Sequence, residues 1–186
     1  MFIQTEETPN PNAIKFLPGM EISIDQIFFN IFDEERTKGS LAENIYIMTD
    51  IKAVFFGADF ITVTKIDKSD WKLLKPEILM VIMDHLVSGL PVFDENKNIF
   101  TQANNTEDLS EIEKQIIEII ETRVRPSVAM DGGDIIYKGF REGIVYLQLH
   151  GACSGCPSSS ITLKNGIESM LQHYVPEVIS VEAIEE

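Results

Sequence analysis

The chain holds two cysteines, and they form one C-x-x-C motif, Gly151-Ala152-Cys153-Ser154-Gly155-Cys156-Pro157. The motif leaves a strand-like run, Ile144 to His150, and leads into a helix-like run, Ile161 to Tyr174. Gly155 lets the loop bend so that both sulfurs point the same way. Pro157 suits a first helical turn, where its missing N–H is not needed. A helix N-terminus lowers a thiol pKa, so thiolate, the metal-binding form, is the expected species at this loop. The hydroxyls of Ser154 and Ser158 are expected to hydrogen-bond sulfur, and the loop itself is expected to lie outside the core.

Two thiolates do not complete a metal site. Zinc takes four ligands, and iron–sulfur clusters are usually held by four thiolates. The chain has no third cysteine, so the simplest source of the missing pair is a second copy related by a two-fold axis. The rival chemistry is thiol–disulfide exchange, because thioredoxin-like folds also place C-x-x-C at a helix start, though within a βαβ framework. Structural zinc is a third reading. An inert pair of core thiols is the bland one, and a Gly/Ser/Pro loop does not suit it.

His150 stands near the loop, but a histidine at a strand end is expected to be a packing or surface residue, as are His85 and His173. Met130-Asp131-Gly132-Gly133-Asp134 lacks the spaced acidic ligands of a calcium loop and reads as a turn. No Ser/His/Asp grouping, P-loop or close carboxylate pair points to an enzyme.

The elements that must position the loop read as an α+β fold of two small domains, 1–88 and 108–186, joined by a polar linker, 89–107. In the first domain, Thr8-Pro9-Asn10-Pro11-Asn12 can be neither helix nor central strand, because two prolines remove backbone donors. Ala13 to Leu17, Ala53 to Phe56 and Phe60 to Thr64 read as strands, the last two joined at Gly57-Ala58-Asp59. Ile22 to Ile31 is apolar but ambiguous. Ser40 caps a short helix, Leu41 to Met48. A longer helix buries Trp71, Leu74, Ile78, Val81 or Ile82, and Leu86, with its main part starting near Pro76.

In the second domain, Asp108 with Glu111 reads as a capping box. The helix it opens sets Leu109, Ile112, Ile116, Ile119 and Arg123 on one face and ends or restarts at Pro126. Two strands follow, Asp134 to Phe140 and Ile144 to His150, with a turn at Arg141-Glu142-Gly143. After the cysteine loop come the helix and a last strand, Val178 to Ile184. The order is α-β-β-α-β.

Net charge is −15, from 15 basic and 30 acidic residues. The excess is acidic in both domains, so a phosphate backbone or an anionic membrane is a poor partner. No run approaches the ~20 apolar residues of a membrane helix. The first residues lack the basic flank and apolar centre of a secretory signal and are too acidic for a transit peptide. A reducing compartment fits two free cysteines: a bacterial cytoplasm, or a mitochondrial matrix with the targeting segment absent.

Two motif sets resemble a known family. Met130-Asp131-Gly132-Gly133-Asp134, the Gly151-to-Ser159 loop and Thr162-Leu163-Lys164 resemble the NifU C-terminal domain, or Nfu domain. Glu7-Thr8-Pro9-Asn10-Pro11-Asn12, Lys15-Phe16-Leu17-Pro18-Gly19 and Val54 to Thr64 resemble the N-terminal domain of Nfu-type proteins. The resemblance implies a cluster scaffold or carrier, not an enzyme. It implies a [4Fe-4S] cluster bridged between two chains, with Cys153 and Cys156 as ligands, received from a donor and passed to apo iron–sulfur proteins. It implies no role for the N-terminal domain or for His150.

Overall fold

A computed structural model describes residues 2–22, 27–30, 38–92, 109–154 and 157–184, and the backbone alone at 27–30 and 157–160. The chain divides into two compact units, Met1–Phe100 and Thr101–Glu186.

The first unit is a five-stranded antiparallel sheet with helices on one face. The strands are β1 (Gln4–Glu7), β2 (Ala13–Leu17), β3 (Ile27–Asn30), β4 (Ile51–Phe56) and β5 (Ile61–Lys65), in the order β1-β2-β5-β4-β3. The ambiguous apolar stretch thus supplies an edge strand. Phe16, Val54, Phe56 and Val63 share one buried cluster with Leu41 and Ile45 of α1 (Leu41–Tyr46) and Leu74, Ile78 and Ile82 of α2 (Trp71–Val87). The Thr8–Asn12 bridge is tied down locally: Thr8 donates to the carbonyls of Asn10 and Ala13, and Trp71 Nε1 donates to Pro11 O at 3.0 Å.

α2 begins at Trp71, not near Pro76. Asp70 caps it by accepting from Lys72 N at 2.9 Å. Pro76 is tolerated inside the helix because it stands on the exposed side, where water can take the carbonyl left without a donor.

The second unit packs two helical arms on a three-stranded sheet. Its elements are α3 (Glu111–Ile119), a π turn (Ile120–Val124), α4 (Arg125–Met130), β6 (Gly133–Arg141), β7 (Ile144–Gly151), α5 (Pro157–Tyr174) and β8 (Ser180–Ala183). The sheet order is β6-β7-β8, with β6–β7 antiparallel and β7–β8 parallel. That is the expected α-β-β-α-β order. Ile116, Ile120, Val124, Val128, Ile135, Val145, Leu147, Ile167 and Leu171 form its core.

Two details differ from expectation. Asp108 lies outside the described residues. The cap is Ser110, which accepts from Glu113 N, while Glu113 Oε2 accepts from Ser110 N at 2.9 Å. Glu113 Oε1 also accepts from Tyr137 Oη at 3.0 Å, so the capping box is tied to β6. Nor is Arg123 on the buried face. The π turn advances the register, so Ile120 and Val124 are buried and Arg123 lies over the Tyr174 ring at 4.6 Å. The turn sits just before Pro126, where its wider coil moves the i−4 carbonyl away from the proline ring.

Candidate metal-cluster site

The site hangs on the β6–β7 hairpin. Glu142 and Gly143, at φ 52° and 82°, form a two-residue turn with both residues left-handed, as tight hairpin turns require. The register then runs back from Arg141↔Ile144 to Gly133↔Gly151 at the open end. Gly151, at φ 67°, turns the chain over that end. Ala152 N donates to Gly132 O at 3.1 Å. Ser154 donates from N and from Oγ to Gly151 O, at 3.2 and 2.9 Å. The Ser154 hydroxyl thus donates to a carbonyl of the loop.

Cys153 is 6% exposed and belongs to the core of its unit, so half of the motif is not outside the core as expected. Its sulfur rests on the backbone of Gly133: a Cβ built there would stand 2.6 Å from Cys153 Sγ and 2.7 Å from His150 O. Only glycine leaves room for the thiol at that point. Cys156 lies outside the described residues, and Ser158 is described by its backbone alone.

The electrostatics reverse another expectation. Burial pushes the Cys153 thiol up to about 12, with the carboxylates of Asp131 and Asp134 adding to the effect. The helix N-terminus does not decide this thiol, because α5 starts at Pro157, four residues on, while Cys153 is sunk among apolar side chains. Unliganded Cys153 therefore holds its proton at neutral pH, and any metal bound there would have to displace it.

Asp134 is itself buried. Burial raises its pKa, and the Arg125 guanidinium works in the opposite direction. Arg125 donates from Nε to Asp134 Oδ1 at 3.0 Å and from Nη2 to Ile135 O at 3.2 Å, and it also pairs with Glu121. This clamp fixes the first residues of β6, next to Gly133. Sequence reading missed it. Its signal was an aspartate following two glycines at the start of an otherwise apolar strand, a place where a buried carboxylate needs a cation.

His150 is buried and stands opposite Asp134 in the hairpin register, three residues before Cys153. His85 is a packing residue, as expected: Asn44 Nδ2 donates to its Nδ1 at 3.1 Å, and its Nε2 donates to Pro91 O at 2.9 Å. His173 lies in the last turn of α5, edge-on to Tyr174. Asp131 and Gly132, the latter at φ 80°, form the turn expected between α4 and β6. Among the described residues, no three His, Cys, Asp or Glu side chains are grouped as a metal site.

Two family models match the chain. "Scaffold protein Nfu/NifU N terminal" covers residues 3–89, and "NifU-like domain" covers residues 116–182. The human protein named "NFU1 iron-sulfur cluster scaffold homolog, mitochondrial" is 49% identical over 99% of this chain and 72% of its own length. A protein of the same name from Drosophila ananassae is 47% identical over 99% of this chain and 64% of its own length, so the chain spans less than two thirds of that relative. The solution structure of a NifU-like protein from Saccharomyces cerevisiae matches at 30% identity and TM-score 0.47, over 51% of this chain and 86% of that one. Two domain models in the expected order, and a relative nearly half identical across almost the whole chain, place it in one family: the chain belongs to the Nfu-type scaffold proteins.

Proposed function

We propose that this chain is an iron–sulfur cluster carrier, and that two copies hold one [4Fe-4S] cluster through Cys153 and Cys156 of each. The observation that carries this reading is the seating of Cys153. A thiol is locked at the open end of a hairpin against Gly133, in a chain whose one other cysteine follows three residues later. One chain can offer two thiolates, and a cluster needs about four, so a second copy completes the site. The printed names of the relatives, iron–sulfur cluster scaffold homologues, support the cargo.

The carrier is non-catalytic. It takes a cluster from a donor and yields it to apo iron–sulfur proteins. Of the two compartments expected from the sequence, those names favour the mitochondrial matrix over the bacterial cytoplasm. Among the described residues, no helix is long and apolar enough to cross a membrane. Disulfide exchange is less well served, because a thiol that keeps its proton up to about 12 is a poor attacking group at neutral pH.

Anaerobic reconstitution with iron and sulfide tests the reading. The expected product is brown, with a Mössbauer spectrum of a four-iron cluster and about two irons per chain. A colourless protein that reduces disulfides would overturn it in favour of exchange. A colourless protein holding zinc would overturn it in favour of a structural metal.

A further inference from the structure

α2 is apolar on two sides. Leu74, Ile78 and Ile82 face the core of the first unit. On the opposite side Leu73, Pro76, Met80, Met83 and Val87 recur at intervals of three and four, and Leu73, Met80, Met83 and Val87 are 71, 64, 41 and 70% exposed. Scattered exposed apolar residues are ordinary. A continuous stripe with this spacing is different, because it is the surface one helix offers to another.

Charge indicates what covers it. Glu77 and Asp84, seven residues apart and both exposed, border the stripe along its length on one side, and Lys72 and the partly exposed Lys75 stand together at the start of the other. A second copy of this chain would bring a further net charge of −15 and the same acidic border, so self-pairing works against like-charge repulsion. A helix whose apolar stripe is flanked by basic residues meets no such cost and pairs with Glu77 and Asp84. Met80 and Met83 add side chains that reshape easily around different apolar partners.

We propose that the exposed face of α2 is a docking surface for an amphipathic helix of another protein, with an apolar stripe flanked by Lys or Arg. The cluster loop and this face then divide the labour between the two units: one holds the cargo and the other selects who approaches it.

The probes are two synthetic helical peptides with the same leucine stripe, one flanked by lysines and one by glutamates. Each is titrated into the full apo chain at physiological ionic strength, followed by calorimetry and by the methyl NMR signals of the methionines. The lysine peptide is expected to saturate at one per chain and to shift Met80 and Met83, with the glutamate peptide at least about tenfold weaker. Met80→Gln with Val87→Gln is expected to weaken the lysine peptide about tenfold or more. Glu77→Gln with Asp84→Asn is expected to reduce its salt dependence. All four positions are exposed, and Met83→Gln alone serves as a milder companion. Equal binding to the Met80/Val87 variant, or no shift at Met80 and Met83, would overturn the proposal. Shifts at those methyls that depend on protein concentration without peptide would overturn the occupant in favour of a second copy.

Discussion

Cys153 Sγ occupies the space that a side chain on Gly133 would fill, 2.6 Å from where its Cβ would stand. The two residues are twenty apart in sequence and meet because the hairpin register sets Gly133 beside Gly151. Gly133→Ala should therefore push the thiol and its loop away from β6, at a cost of about 1–3 kcal/mol. Chemical denaturation of the apo-protein measures the cost, and iron per chain after reconstitution measures the displacement. Unchanged values for both would mean that the loop yields freely at this point.

The Arg125 clamp should be felt in stability. Arg125→Met leaves Asp134 buried without its cation. A loss of about 1–3 kcal/mol is expected, discounted from a fully buried pair because Arg125 is about one-third exposed. Glu121→Gln, on the exposed side of the same guanidinium, should cost well under about 1 kcal/mol. Urea titration of the two variants separates the cases, and equal losses would show that the outer pair matters as much as the buried one.

Cys153→Ser and Cys156→Ser should each abolish cluster retention and leave the circular dichroism of the fold in place. The Cys153 variant should also lose about 1–2 kcal/mol, because it sinks a hydroxyl into an apolar site. Cluster absorbance and thermal melts give the two readouts. Full cluster occupancy in either variant would remove that sulfur from the ligand set.

The raised thiol pKa makes a prediction with a definite sign. Below the ordinary thiol value of 9.0, folded and unfolded chains both hold the proton, and Cys153 adds no pH dependence. Above it the unfolded chain loses its proton first, so stability should fall as pH rises toward about 12, by at most about 1.4 kcal/mol per pH unit. Burial also raises Tyr137, whose own contribution begins near 10.0, so the window between 9.0 and 10.0 belongs mainly to Cys153. Subtracting the profile of Cys153→Ser isolates the thiol. Identical profiles would mean that it titrates normally. Cluster loading should release protons and weaken as pH falls.

Cluster binding and dimerisation should be one equilibrium, because a ligand bound only by the pair must favour the pair. The apo chain should be mainly monomeric at micromolar concentration. The loaded form should run larger and fall apart when a chelator removes iron. Anaerobic size-exclusion chromatography with light scattering shows both states. A loaded monomer would direct the search for a further ligand to His150.

Much of this was legible in the sequence. Two cysteines in one loop of glycine, serine and proline could be read directly, because a single local spacing carries the chemistry. β2, α1 and the β4–β5 and β6–β7 hairpins were legible for the same local reasons: a cap at Ser40, glycine turns at Gly57 and Gly143, and apolar runs between them. The helix starts were less so. Asp108-x-x-Glu111 and Ser110-x-x-Glu113 both fit the cap signature, and only the structure places the cap at the second. Pro76 could begin a helix or sit on its wet side, and which of these holds depends on what the helix packs against. The seat of Cys153 was the least legible feature, because its burial against Gly133 arises from strand register and the Asp134–Arg125 pair from a helix packing on the strand that follows it, rather than from adjacent residues.

The π turn at Ile120–Val124 has a consequence for the length of the chain. It accommodates one residue more than a regular helix would over the same span. Deleting a single residue there would restore uninterrupted α-helical hydrogen bonding and leave the flanking turns in their present register, with Arg125 still beside Asp134 and Val128 still in the core. The same deletion in the regular turns on either side would rotate everything after it by about 100° and break both contacts. This irregular turn is therefore the one stretch of the helical arm that should tolerate the loss of a residue.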